Sequence, residues 1–109
     1  MATTTERIRV LNDQLRTHLI GGRIVMTRGI ATLPVEAVTA IMAEVQTFDH
    51  FTPDNDPHGE HDFALIEVAD ERIMFKIDYY DRAMTGFSPD PSSAAVTARV
   101  LTVMLASEY

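Results

Sequence analysis

The sequence predicts an α+β domain, a small two-layer sandwich in which a three-stranded, mainly antiparallel sheet carries helices packed on it. Three observations lead there. Apolar residues recur at three- and four-residue intervals in the first half of the chain and again near its end, as on the buried stripe of a helix. Residues 63–80 alternate with period two, as a half-buried hairpin does. Glycine- and proline-containing stretches separate these segments, so helices and strands are segregated and pack as layers. The expected order is α-β-α-β-β-α, in a single domain spanning residues 1–109.

The first helix is expected over about residues 4–19. Thr3 and Glu6 have capping-box spacing, Ile8, Leu11, Leu15 and Leu19 make the stripe, and Gly21-Gly22 stops it. The β-branched run Arg23–Arg28 between glycines reads as a strand. Pro34 opens a second helix, whose inner face is Val38, Ile41, Met42, Val45 and Phe48. A hairpin turning at Asp70-Glu71 would set Val68 opposite Ile73, Ile66 opposite Phe75 and Ala64 opposite Ile77, all on one face. Asp-Glu is a poor two-residue turn, which argues for a longer loop. A third helix is expected from about Ser92 to Ala106, capped by Asp90, Ser92 or Ser93, with Val96, Val100, Val103 and Met104 as its stripe. The six methionines are assigned to core filling.

Composition narrows the function classes. With 109 residues, 46% of them hydrophobic, the chain has material for one modest core. It has no cysteine, hence no disulfide, thiolate zinc site or thiol nucleophile. No signal-peptide pattern or membrane-length apolar run is present, so a cytoplasmic location is expected, with no membrane contact. The net charge of −7 is unevenly spread. Residues 1–48 carry five Arg against four acids, whereas residues 49–81 carry ten acids against Arg72 and Lys76, a net of −8. Such a surface repels phosphate backbones, which argues against direct nucleic-acid binding and for a basic protein surface as partner.

The chemistry-bearing residues concentrate in the long polar loop 49–62, DHFTPDNDPHGEHD. Asp54, Asp56, His58, Glu60 and His61 are candidate ligands for a divalent metal ion, since hard oxygen donors and imidazoles sit close together there, and Asp78 is a candidate addition. An EF-hand is rejected: His58 stands at its fifth position and Leu65 at its twelfth. His58-Gly59-Glu60 matches half of the zinc-deaminase signature, but the cysteine half is absent. There is no HExxH, Walker loop or GxSxG elbow, so no catalytic residue is assigned. The competing reading makes the loop a set of Asx turns, pairs Lys76 with Glu67, and places Tyr79 in the core. His18 and His50 receive no role.

The strings DNDPHGEHDF (54–63), KIDYYD (76–81), SPDP (88–91) and VLTVMLASEY (100–109) resemble an uncharacterised bacterial family known only as a domain of unknown function. The likeness covers nearly the whole chain, with Ala64 where that family usually has Gly. The family is common in alphaproteobacteria and on mobile elements; it implies no activity, substrate or catalytic residue. The resulting expectation is a non-catalytic interaction protein, an accessory of mobile or phage-borne DNA that modulates or inhibits a host nucleic-acid-handling or defence protein. Asp54, Asp56, Glu60 and Asp62 would face that partner. The alternative is a metal-binding domain or metal-dependent hydrolase using the 54–62 loop, and a homodimer is a third arrangement.

Overall fold

The computed structural model describes residues 2–109. Helix α1 (Thr4–His18) is followed by strand β1 (Arg23–Met26), the one-turn helix α2 (Arg28–Ala31) and helix α3 (Val35–Thr47). Strands β2 (Phe63–Val68), β3 (Glu71–Tyr80) and β4 (Ala98–Leu105) complete the sheet, with short 3₁₀ turns at Ala94–Val96 and Ala106–Glu108. The α+β class holds, but the sheet has four strands and is mixed: its order is β1-β4-β3-β2, with β1 parallel to β4 and the other pairs antiparallel.

The principal correction is the last element. Val96, Val100, Val103 and Met104 mimic a helical stripe, yet Ala98–Leu105 is a strand flanked on both sides, by β1 and β3. Its true period is two. Arg99, Leu101 and Val103 point to the helical layer and are buried, while Val100, Thr102 and Met104 lie on the opposite face. A central strand with apolar residues on both faces loses its alternation, and a short apolar run then satisfies either period.

Helix α1 starts as expected: the Glu6 N–H donates to Thr3 Oγ1 at 3.1 Å. Its end differs, because Leu19 rather than a glycine takes the left-handed conformation, at φ 59°. The strand beginning at Arg23 stops at Met26, and α2 fills the remainder before α3. The hairpin is real, but its turn is Ala69-Asp70, both at positive φ (54° and 62°), the requirement of a type I′ turn. The register pairs Ile66 with Ile73 and Ala64 with Phe75. This is a two-residue displacement from the expected pairing, which leaves every side chain on its expected face.

Leu15, Ile30, Ile41, Val45, Ala64, Ile73, Phe75, Ile77, Leu101 and Val103 form one cluster between sheet and helices. On the other sheet face Val25 and Leu65 are exposed, and Tyr109 meets Phe63 edge-on at 6.4 Å between ring centres. No helix among the described residues is long and apolar enough to cross a membrane.

Candidate functional site

Helix α1 carries two polar residues on its otherwise apolar inner face, Asn12 and Arg16, and both are buried. A buried polar group must be hydrogen-bonded or it costs on the order of 1–3 kcal/mol. Asn12 meets this with all of its amide: Nδ2 donates to the Glu60 carbonyl (3.0 Å) and to the Tyr79 hydroxyl (2.8 Å), and Oδ1 accepts from Arg99 Nε (2.6 Å). The Tyr79 hydroxyl in turn donates to Glu60 Oε1 at 2.8 Å. The result is a directional chain from guanidinium to carboxylate, Arg99 to Asn12 to Tyr79 to Glu60. Arg99 also donates to the Pro91 carbonyl and lies over the Tyr79 ring. Glu60 of DNDPHGEHDF, Tyr79 of KIDYYD and Arg99 thus converge on one side chain of α1, and Pro91 of SPDP joins them through Arg99.

Burial sets the electrostatics of this chain. It pushes the Tyr79 hydroxyl far above its ordinary value, so the group is a neutral donor at any physiological pH. Burial also lowers the Arg99 guanidinium, while Tyr79 and Glu60 act against that.

Around it, α1 pins the loop 49–62 at three further points. Arg9 Nε donates to the Gly59 carbonyl at 2.9 Å, and His61 Nδ1 meets Asp13 Oδ1 at 2.9 Å. Arg16 donates to the carbonyls of Val45 and Phe48 and packs its guanidinium over Phe51 and Phe75. His61 stacks on Phe51, with ring centres 3.9 Å apart and planes within 7°. It sits at φ 56°, a strained conformation for a residue with a side chain, held by its N–H donating to the Asp56 carboxylate.

The loop carboxylates therefore divide. Asp56 is buried and serves His61 and the local turn, and Glu60 is half-buried on Tyr79. Asp54 is exposed. Asp62 is half-buried, and its pKa is raised, first by burial and then by the Glu60 charge. Asp54 and Asp62 border a groove of about 470 Å³ along β2, beside His58, Phe63 and Leu65. Of the candidate partner-facing set, these two remain available and Asp56 and Glu60 turn inward.

The proposed metal donors are spread apart. His58 is exposed on the groove, Glu60 is turned to Tyr79, and Asp13 and Asp56 approach opposite ring nitrogens of His61 (2.9 and 3.8 Å), so they share no common point. Among the described residues no three His, Asp or Glu side chains are grouped to hold an ion. Asp78 pairs with Lys76 at 2.6 Å, and Lys76 is raised chiefly by that bond; Glu67 instead faces Arg72 at 3.9 Å. Asn12, Asp13, Arg16 and Arg99 escaped the sequence reading. The available signal was a polar residue inside an apolar stripe: Asn12 lies four residues after Ile8 and three before Leu15.

No curated protein and no solved structure matches this chain. The profile of the family described as "Protein of unknown function (DUF3768)" matches residues 26–108, and the chain belongs to that family.

Proposed function

We propose that this chain is a non-catalytic interaction protein whose acidic groove along β2 receives a basic segment of a partner protein. The observation that carries the reading is the groove itself. Asp54 and Asp62 stand beside Phe63 and Leu65, the latter 48% exposed, on a strand that forms one edge of the sheet. A free strand edge offers backbone hydrogen bonds to an added strand, and flanking side chains select its sequence. Carboxylates next to an apolar wall select a Lys- or Arg-bearing segment with an apolar residue between the charges. Asp62 supports this further, because burying a carboxyl beside the Glu60 charge is a cost that recognition explains better than folding does.

In keeping with the family resemblance, the partner is a host nucleic-acid-handling or defence protein, and the chain acts as an accessory of mobile DNA. Such partners carry the basic surfaces that bind phosphate backbones, which an acidic mimic occupies.

The test is affinity capture from host lysate with the native chain and an Asp54→Lys/Leu65→Lys variant, followed by measurement of the captured protein's affinity. Both positions are exposed, so the variant folds. The expected result is capture of basic proteins by the native chain, weakened by salt and lost in the variant. Equal capture by both chains refutes the groove as the binding surface.

A further inference from the structure

At the opposite edge of the sheet from the acidic groove, the turn between α1 and β1 faces the loop that follows β3. A depression of about 480 Å³ lies between them, lined among others by Gly21, Gly22, Arg23, Arg82, Arg99 and Met84. Three arginines line it and no Asp or Glu does. In a chain of net charge −7 with nine Lys and Arg in all, that is a concentration of a third of its basic residues in one acid-free place.

We propose that this depression is a binding site for a small phosphorylated molecule of roughly nucleotide size, its phosphoryl group held by Arg23 and Arg82 with the Gly21 and Gly22 amides. Four features of the place support it. Arg99 is only 2% exposed, and no carboxylate among the described residues lies within 4.0 Å of it as an ion-pair partner. Its charge therefore adds to the field in the depression with no direct ion-pair partner, Glu60 acting on it only from beyond Asn12 and Tyr79. Guanidinium groups match phosphate oxygens in pairs, which gives both strength and orientation. Among the described residues the Gly21 and Gly22 N–H groups have no backbone acceptor, and Gly21 stands at φ 88° with open space where a side chain would begin. Gly22 lets the turn sit against β4, since a Cβ there would lie 2.5 Å from the Arg99 carbonyl oxygen. The volume falls within the range of small-molecule sites, larger than a bare phosphate needs, and Met84 supplies an apolar wall for the organic part.

This site is independent of the β2 groove, so either can fail without the other. The experiment titrates the full chain with pyrophosphate, AMP and adenosine at constant ionic strength, reading melting temperature and the backbone amide spectrum. AMP and pyrophosphate are expected to raise Tm by about 5 °C at ten times their dissociation constant. They are also expected to shift the Gly21 and Gly22 amide resonances, and adenosine is expected to do neither. An Arg23→Gln/Arg82→Gln variant, altered only at exposed positions, should keep the unliganded Tm and lose the response. No shift beyond the chloride control overturns the proposal, as does an equal response in the variant. A response confined to amides elsewhere, or tighter binding of a phosphate-blocked oligonucleotide than of AMP, overturns it as well.

Discussion

Two irregular segments of similar length, residues 49–62 and 81–97, are held in opposite ways. The first is tied to a helix far away in sequence: Arg9 to Gly59, Asn12 to Glu60, and Asp13 to His61. The second is tied mostly to itself. The Asp81 carboxylate accepts from the Thr85 amide and hydroxyl, the Asp90 carboxylate from the Ser92 amide and hydroxyl, and Ser88 meets Thr97. The Arg99–Pro91 bond is its link to the buried chain on α1. A loop held by tertiary contacts rises and falls with the global fold, whereas one held by local turns opens on its own.

The comparison is broken most severely at Asn12. Asn12→Leu leaves Arg99 Nε and the Tyr79 hydroxyl without that partner in a buried site, which should cost about 3–5 kcal/mol in urea unfolding. Amide exchange should then accelerate in 49–62 together with the core, because the loop and helix share one anchor. A loss under 1 kcal/mol would mean the loop is held by Arg9, Asp13 and Arg16 without it.

A smaller effect of opposite sign is expected at Asp62. Its carboxyl is raised by burial, so the folded state disfavours the ionised form. For an acid shifted upward, folding is penalised above the folded-state pKa, and the penalty fades as pH falls through it toward the unfolded value. Asp62→Asn should therefore raise Tm at pH 7, with the gain shrinking toward pH 3, while capture of a basic partner weakens. A lower Tm at pH 7 would show that the carboxylate has a structural partner after all.

The smallest effect belongs to the self-contained segment. Asp81 is lowered by the Thr85 bonds, and its stabilising charge is present above the ordinary carboxylate range and lost as pH falls below it. Asp81→Ala should speed exchange of the Thr85 amide and leave Tm within error of the native value. A global drop in Tm would erase the distinction between the two segments.

The same distinction explains what could be read from the sequence. Local rules gave the Thr3 cap, the start of α1, the extent of the 49–62 loop and the inward face of the hairpin, because each depends on neighbours within a few residues. They failed at β4, where the choice between periods depends on having β1 on one side and β3 on the other. They failed also at Asp56 and Glu60. An acidic loop reads as a solvated surface until Asn12 and Tyr79 draw the Glu60 carbonyl and carboxylate inward and the His61 N–H holds that of Asp56. Arg99 was the least legible residue: nothing near it in sequence announces a buried guanidinium, since its partners are Asn12 and Pro91 and its aromatic platform is Tyr79.

The parallel pairing of β1 with β4 sets a schedule. Arg23 finds Val100 and Met26 finds Val103 across most of the chain. A nascent polypeptide with β1, the helices and the β2–β3 hairpin already synthesised still lacks the strand that joins them, and both β1 and β3 wait with unpaired backbone. Long-range closure of this kind is slow relative to helix or hairpin formation. Assembly of the sheet must follow translation of β4, and until then two apolar strands have open edges on which a neighbouring chain can add.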